Sequence, residues 1–404
     1  MHIAILSTPS NFHTQKWAEA LHNEGEKVSV FSFDSHTFAQ PNIQNICVPP
    51  TYTYNVQPTY LSYLDGKALR KLLILHKIDL VLAINATPFG VWAAKSRFHP
   101  CVIFAVGADI LAYPPPHEAS PIHTLYSWEK NEFSPDSGLR KLKSRFSKPI
   151  FRYQVAQALH FADGVIGDNE VLTRAIHHWF HVPLQKIQLN RGGVEPELFL
   201  PNEAILAELR QHFRIPEGAT VILSPRGMKP IYQSDIILEA FNILLQENIL
   251  KNVHFIMLSA GYEVPESLKI KGEMMEAKFS TFFFEKNVLS RQKISQLWRL
   301  IDIFLSAPVY DGYSASVAEG RYMGVIPVVN QTPATTEILT HQENGWFVTP
   351  FTAQNVANAL KEIALSKEKW KTKFAHNNSN WIQEHSLMKH NISSFLNFVS
   401  RIIH

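Results

Sequence analysis

The sequence predicts an α/β protein made of two doubly wound domains, each a parallel sheet with helices on both faces. The chain has 404 residues, more than the roughly 250–300 over which one hydrophobic core keeps growing. Short apolar runs alternate with helical stretches in the first half, and a similar series begins after residue 203. This alternation is typical of parallel sheets. We therefore predict domains at 1–198 and 199–385, with a C-terminal helix at about 386–404 that packs back on the first domain.

The first domain is predicted to open with a strand, a helix and a second strand. We place the N-cap of this helix at Thr14 and its left-handed C-cap at Gly25, residue types that suit those positions. Residues 111–138 contain five prolines and are predicted to form a long irregular insertion, which is often a functional element. The strands are predicted at 2–6, 27–33, 79–84, 101–106 and 164–168, with further helices at 66–77 and 88–96.

The second domain is predicted to repeat this architecture. A helix is expected from Ser234, which suits the N-cap, and its apolar residues follow at helical spacing. We expect the carboxyl ends of both sheets to face a cleft between the domains, where ligands of such folds bind. The strands are predicted at 220–226, 254–260, 279–284, 301–307 and 325–330.

Composition excludes several classes of protein. Lys and Arg number 38 against 35 Asp and Glu, a formal charge of +3, so we expect no nucleic-acid partner. The two cysteines are too few for a disulfide framework or a cysteine-built zinc site. The N-terminus lacks signal-peptide features and no run is long enough for a transmembrane helix. We expect a cytoplasmic protein.

One basic stretch stands apart from this balance. Residues 140–152 carry six basic side chains and no acidic one. They are either a solvated helix face or a patch that meets phosphate groups or an anionic membrane. In the second interpretation Phe146, Ile150 and Phe151 insert into the membrane, and the protein is peripheral at its inner face.

The segment 306–337 carries the clearest chemistry. A strand ends, a turn with Asp311 follows, and a helix starts near 314–316. The free N–H groups of a helix N-terminus suit an anionic phosphate. Asp311 and Glu319 could then engage two parts of one ligand held there. Alternatively, Ser316 and Glu319 form a capping box, and the residues alone leave both interpretations open.

The same segment resembles the C-terminal signature of family 4 retaining glycosyltransferases. That signature reads Glu-Gly-Phe-Gly, a second Glu eight positions after the first, Ala-x-Gly-x-Pro-Val-Val and a later Glu. The matching positions here are Asp311-Gly312-Tyr313-Ser314, Glu319, 323–329 and Glu337. Residues 301–308, 14–32 and 190–199 also resemble family segments, so the likeness extends over most of the chain. It implies the GT-B fold of two facing Rossmann-like domains.

The resemblance also implies roles for particular residues. Glu319 would hold the donor ribose, and Asp311 would take the place of the Glu that contacts the transferred sugar. Arg226 would bind the donor phosphates, where a guanidinium neutralises charge on the leaving diphosphate. Val288 would meet the base through its backbone. The diphosphate itself would lie on the backbone of Gly312, Tyr313, Ser314, Ala315 and Ser316.

The sequence departs from the family pattern at three places. The phosphate-binding Lys, normally five residues after Arg226, is missing, and either Lys229 replaces it or the site does without it. Asp311 is one methylene shorter than the family's Glu. Ser7–Phe12 replaces the N-terminal Gly-Gly loop, and Asn11 in this segment is a candidate for the acceptor side.

Two further residues of the first domain are candidates for the acceptor side. Asp109 follows a predicted strand, and it either positions the acceptor hydroxyl and stabilises developing positive charge or caps its own loop. His13 is either an acceptor contact or a structural histidine.

No metal site is predicted. His177, His178 and His181 lie near a helix end, with no carboxylate beside them. We expect no cofactor and no metal requirement.

The function that follows from the resemblance is retaining transfer of a sugar from a nucleotide-sugar donor, most simply a UDP-sugar. The acceptor would be a hydroxyl of a glycan, a lipid-linked glycan or a small molecule. Two alternatives stay open: a nucleotide-sugar epimerase on the same fold, and a catalytically silent nucleotide-sugar-binding protein.

Overall fold

The computed structural model describes residues 1–35, 38, 41–54, 57–58, 60–115, 138–247, 250, 252–260 and 264–403. The chain forms two compact units. Unit 1 comprises Met1–Arg191 and Met388–His404, and unit 2 comprises Gly192–Leu387. Most of the insertion predicted at 111–138 lies outside the described residues.

Unit 1 is built on a seven-stranded sheet in which every strand pairs in parallel with its neighbours. The strand order is β3-β2-β1-β6-β7-β8-β9, and β4 and β5 form a separate antiparallel pair. The nine strands are β1 (His2–Leu6), β2 (Lys27–Ser32), β3 (Gln44–Cys47), β4 (Thr53–Tyr54), β5 (Gln57–Pro58), β6 (Leu80–Ile84), β7 (Cys101–Ala105), β8 (Gly164–Gly167) and β9 (Ile187–Leu189).

The first helix of unit 1 begins earlier than predicted. Its N-cap is Asn11, whose Oδ1 accepts a hydrogen bond from the His13 N–H at 2.8 Å. Thr14 lies inside the helix and donates its hydroxyl to Ser7 Oγ at 2.6 Å, so the Thr14 cap was wrong. Gly25 follows the helix with φ of 88°, as predicted. The helices are α1 (Phe12–Asn23), α2 (Lys67–Leu75), α3 (Val91–Ser96), α4 (Ala108–Leu111), α5 (Gly138–Phe161) and α6 (Glu170–Phe180).

Unit 2 is built on a second parallel sheet, of six strands in the order β12-β11-β10-β13-β14-β15. Its strands are buried, as expected for a sheet covered on both faces. They are β10 (Thr220–Ser224), β11 (Val253–Leu258), β12 (Phe282–Glu285), β13 (Ile303–Ser306), β14 (Ile326–Asn330) and β15 (Trp346–Val348). The prediction of an α/β fold with two parallel sheets is confirmed.

The helices of unit 2 include a short one that follows β13 and a long one near the end of the unit. They are α7 (Glu203–His212), α8 (Ser234–Glu247), α9 (Glu266–Lys278), α10 (Arg291–Leu297), α11 (Ala315–Tyr322), α12 (Pro333–Thr336), α13 (Ala353–Leu365) and α14 (Lys367–His385).

The C-terminal helix α15 (Met388–Ile403) belongs to the core of unit 1. Phe395 packs edge-on against Trp17 of α1, with ring centroids 5.3 Å apart. Asn190 donates its side-chain amide to the carbonyl of Asn391 at 2.8 Å. The end of the chain therefore completes the first sheet's helical layer.

The strand order of unit 2 places two loops at one edge of its sheet. β10 and β13 are neighbours and run in parallel, so the segments that follow Ser224 and Ser306 leave the same edge. Val309 N–H donates to the Ile231 carbonyl at 2.9 Å, and Gln233 donates to the Ala307 carbonyl at 3.0 Å. These bonds tie the two loops together.

Candidate functional site

Arg226 and Asp311 form the centre of the site in unit 2. Arg226 lies on the loop after β10 and Asp311 on the loop after β13. Arg226 Nη1 donates to Asp311 Oδ2 at 2.7 Å and Nη2 donates to Oδ1 at 3.2 Å. The two side chains, 18% and 16% exposed, thus make a bidentate, partly desolvated ion pair, the strong form of this interaction.

Two further contacts hold the Arg226 guanidinium. Its Nη1 also donates to Ser314 Oγ at 2.9 Å, and its Cζ lies 4.5 Å from the centroid of the Tyr232 ring. Burial alone would lower the pKa of Arg226, but the Asp311 carboxylate and the Tyr232 phenol raise it by more. Arg226 is therefore a fixed, permanent cation at the sheet edge.

The loop that carries Arg226 and Tyr232 is itself braced. Pro230–Tyr232 form one 3₁₀ turn, in which Tyr232 N–H donates to the Lys229 carbonyl at 2.9 Å. The Ser234 hydroxyl donates to the carbonyls of Gly227 and Lys229, each at 3.2 Å. Ser234 is thus the first residue of α8 and not the residue before it, and its hydroxyl braces the loop, so the predicted N-cap at Ser234 was wrong.

Helix α11 starts beside the ion pair. Its N-cap is Ser314, which makes no side-chain capping bond and lies 3.1 Å from Ser316 Oγ. The Glu319 carboxylate accepts a hydrogen bond from Trp298 Nε1 at 3.0 Å. Because the cap is Ser314 and Glu319 is engaged by Trp298, the Ser316–Glu319 capping box was wrong.

Tyr313 and Gly320 set the position of the segment 312–320. The Tyr313 side chain points inward, and its hydroxyl donates to Ser386 Oγ at 2.6 Å. A Cβ added at Gly320 would lie 2.5 Å from a ring carbon of buried Phe304. Glycine at this position therefore lets α11 lie directly against β13.

Arg321 anchors α11 from behind and was not predicted from the sequence. It is fully buried, its Nε donates to Asn378 Oδ1 at 2.8 Å, and its guanidinium lies 4.5 Å from the Trp381 ring centroid. Burial lowers the pKa of Arg321 to about 10, against the opposing effect of Tyr313. Nothing in the sequence around Arg321 indicates that this arginine is buried, so its position could not be predicted.

Lys229 and Val288, the two other donor-side candidates of unit 2, lie on different loops of the sheet. Lys229 is half-buried on the same loop as Arg226. Val288 follows β12, two strands away from β10 in the sheet order, and is 72% exposed. Lys229 therefore shares a loop with Arg226, whereas Val288 lies on a separate loop of the same sheet.

Asp109 in unit 1 binds backbone on both carboxylate oxygens. Oδ2 accepts from Ala86 N–H at 2.6 Å, and Oδ1 accepts from Gly107 at 2.8 Å and Val106 at 3.2 Å. Burial raises the pKa of Asp109 from 3.8 to about 6, although these backbone bonds oppose the rise. This geometry is that of a loop-capping aspartate, and its acceptor role stays a prediction.

The other acceptor-side candidates lie at the start of α1. Asn11 is exposed, and its side-chain oxygen is occupied by the helix cap. His13 is half-buried, and its ring lies edge-on to Phe12 at 5.7 Å. Their roles toward an acceptor stay predictions.

The basic stretch is part of helix α5, and the side chains of 138–147, including Phe146, lie outside the described part. Phe151 is half-buried and packs against Tyr60 with ring centroids 5.0 Å apart, and its insertion into a membrane stays a prediction. Arg152 donates to the carbonyls of Tyr113 and Trp179. Ile150 is exposed. Among the described helices, none has the length and apolarity to cross a bilayer.

His177, His178 and His181 end helix α6. His177 Nδ1 lies 2.8 Å from the Val182 carbonyl, and His181 is the left-handed C-cap with φ of 56°. Within the described residues, no group of three His, Cys, Asp or Glu side chains could hold a metal ion.

Comparison with known families matches both halves of the chain. Residues 2–132 match the family model described as glycosyl transferase 4-like, and residues 207–381 match the model of glycosyl transferases group 1. No curated protein matches the chain significantly.

Solved structures of similar fold cover nearly the whole chain. Sucrose-phosphate synthase from Thermosynechococcus elongatus is 14% identical with a TM-score of 0.74, covering 100% of this chain and 99% of that one. Anabaena Alr3699/HepE, in complex with UDP-glucose, is 15% identical with a TM-score of 0.70, covering 99% and 100%. WaaG, a glycosyltransferase involved in lipopolysaccharide biosynthesis, is 16% identical with a TM-score of 0.68, covering 98% of each chain. With family models matched in both units and a shared two-sheet fold, the chain is a family 4-like glycosyltransferase with the GT-B fold.

Proposed function

We propose that the chain is a retaining glycosyltransferase that takes its sugar from a UDP-sugar and needs no metal ion. The observation that carries this proposal is the immobilised cation Arg226 beside the N-terminus of α11, with Glu319 one turn into the helix. The similarity of fold to a protein crystallised with UDP and with UDP-glucose supports the choice of donor.

The chemistry requires that negative charge on the leaving diphosphate be stabilised as the glycosidic bond to it breaks. Arg226 supplies a full positive charge, and the free N–H groups of Ala315 and Ser316 at the start of α11 supply partial ones. Both are fixed before the donor arrives, so no reorganisation is needed at the reaction step. This source of charge is why we expect activity without a divalent cation.

Glu319 is assigned to the donor ribose. Its half-buried carboxylate accepts one hydrogen bond from Trp298, and a carboxylate can accept several more. Two ribose hydroxyls donating to it would fix the nucleoside relative to Arg226. Lys229 and the backbone near Val288 are proposed as further donor contacts, with phosphate and base respectively.

The acceptor is proposed to bind unit 1, with a hydroxyl directed by the loops that carry Asn11, His13 and Asp109. The acceptor class is a glycan, a lipid-linked glycan or a small molecule. Retention would follow from attack on the face that the diphosphate leaves, with that phosphate taking the acceptor proton.

The test of the proposed function is a thermal-shift screen with UDP-, GDP-, ADP- and TDP-sugars, with and without EDTA. We expect stabilisation by a UDP-sugar that EDTA leaves unchanged, since a ligand that binds only the folded state raises its stability. Glu319→Ala should weaken this binding roughly 100-fold or more, because it removes two hydrogen bonds to a charged group. The exposed Glu343→Ala serves as the matched control.

Product analysis then separates the three candidate activities. A free nucleoside diphosphate plus a glycoside with retained configuration supports the proposal. An isomerised sugar nucleotide identifies an epimerase, and tight binding without turnover identifies a silent binding protein. Stabilisation by none of the four donors contradicts the proposal.

Asp109 is tested through its pH dependence. Since the folded state holds the proton more tightly, the contribution of Asp109 to stability is complete below pH 3.8 and is lost as the pH rises through about 6. Asp109→Asn should therefore destabilise the protein most at acid pH. The gap from wild type in free energy of unfolding should narrow by roughly 2 kcal/mol between pH 4.5 and 7.5, measured by urea unfolding.

Asp65→Asn is the control for this measurement, because backbone and side-chain hydrogen bonds lower the pKa of Asp65 and its gap should not narrow. An unchanged gap for Asp109→Asn would contradict a raised pKa of Asp109 in the folded state. If Asp109 also positions the acceptor, the variant loses transfer rate per folded molecule while its nucleotide affinity stays near wild type. Lost nucleotide affinity would argue against that role.

We also propose peripheral membrane contact through 140–152, supported by the exposed Ile150 and Tyr153 on α5, at 58% and 63%. Replacing Arg140, Lys141, Lys143 and Arg145 by Gln should reduce sedimentation with anionic vesicles, by about 1 kcal/mol per charge near the surface. The control removes the same charge from exposed Lys67, Lys71, Lys77 and Lys95. Equal sedimentation of both variants and wild type removes the membrane proposal.

A further inference from the structure

We propose that Tyr232 is a positioning residue that, together with Asp311, fixes which edge of the Arg226 guanidinium meets the donor diphosphate. The inference rests on the proposed function, because it names how that site holds its ligand. In this account neither Tyr232 nor Asp311 touches the transferred sugar, and both act through Arg226.

The hydrogen bonds of Arg226 occupy one edge of its guanidinium group and leave the Nε–Nη2 edge to be considered. Bonds to Asp311 and Ser314 use both hydrogens of Nη1 and one hydrogen of Nη2. Nε–H and the other Nη2–H lie side by side along the remaining edge and are not engaged by those two residues. Two parallel N–H groups are the geometry that binds two oxygens of a phosphate.

Tyr232 fixes the plane in which that edge lies. The Cζ atom of the guanidinium lies over the ring, 4.5 Å from its centroid, while the Asp311 carboxylate bonds both Nη atoms at the end of the group. The carboxylate alone leaves the guanidinium free to rotate about the line that joins the two groups, and contact with the ring restricts this rotation. Three contacts in different directions therefore leave one orientation for Arg226.

The backbone around Tyr232 is built to hold this ring in place. The 3₁₀ turn Pro230–Tyr232 ends at Gln233, which takes a left-handed φ of 49°. The Gln233 side chain is bonded to Ala307 and the Ile231 carbonyl to Val309. Both partners lie on the loop that carries Asp311, so the ring and the carboxylate are positioned by one connected framework.

This arrangement also accounts for the lysine that the family pattern places five residues after Arg226 and that this chain lacks. Ile231 stands at that position, and its neighbour Tyr232 contacts Arg226. The residue next to the position of the family's second cation is therefore a ring that contacts the first cation, and Lys229 remains the proposed second cation at the phosphate.

The experiment measures binding of UDP, a UDP-sugar and UMP by calorimetry to wild type, Tyr232→Leu and Tyr232→Phe. Tyr232→Leu keeps an apolar side chain but removes the ring face, and we expect UDP and the UDP-sugar to lose affinity by the same factor, about 2- to 30-fold. UMP, which lacks the second phosphate, should lose little. Tyr232→Phe keeps the ring but removes the phenol oxygen that acts on Arg226, and it should lose less affinity for UDP than Tyr232→Leu. Tyr232→Met replaces the Leu variant if that one does not fold.

A coupling test separates positioning from direct contact. In an Arg226→Gln background, Tyr232→Leu should cause no further loss of UDP affinity, since a residue that acts through Arg226 has nothing left to position. Asp311→Asn should change the affinities for UDP and the UDP-sugar by one common factor. A loss confined to the UDP-sugar would assign Asp311 to the sugar and overturn its part of the inference.

The outcomes also distinguish this inference from the proposed function. If wild type binds no nucleoside diphosphate, the proposed function fails. If wild type binds UDP and Tyr232→Leu binds it equally well, or if the Leu variant loses UMP affinity as strongly as UDP affinity, only the role of Tyr232 is overturned.

Discussion

The site of unit 2 depends on one interaction, the bidentate ion pair between Arg226 and Asp311. Its partners come from the ends of neighbouring parallel strands, so the pair also joins two loops. A cation that met a diphosphate without such a partner would have to be ordered when the ligand bound, at a cost in side-chain entropy. Here that ordering is complete in the free protein, which is what electrostatic stabilisation of a leaving group requires.

Contacts around helix α11 hold the residues beside this ion pair in place. Gly320 allows α11 to lie against Phe304 of β13, and buried Arg321 ties the same helix to α14 through Asn378. The Tyr313 hydroxyl bonds inward to Ser386, which leaves the backbone beside it to face the site. These contacts fix the position of the start of α11 relative to Arg226. The distance between the two determines where a phosphate can lie.

The central strands of both sheets followed from apolar runs, because burial on both faces leaves a clear pattern. The predicted strand 220–226 is too long at its end: β10 stops at Ser224, and Arg226 lies on the loop that follows. The ion pair between Arg226 and Asp311 could not be predicted from the sequence, because each of these side chains could equally bind a ligand. Ser316 and Glu319 matched a capping box, but Trp298 from another helix engages Glu319, and local spacing carries no trace of such a partner. Asn11 and Thr14 are both good caps, and only the Ser7 hydroxyl, which binds Thr14, decides between them.

A crystal structure with an intact UDP-sugar would show directly how Arg226 meets the diphosphate. We expect Arg226 to stay paired with Asp311 and in contact with Tyr232, with two oxygens of the diphosphate on its Nε–Nη2 edge. Arg226 released from Asp311, with the Asp311 carboxylate bonded instead to a hydroxyl of the sugar, would contradict this expectation.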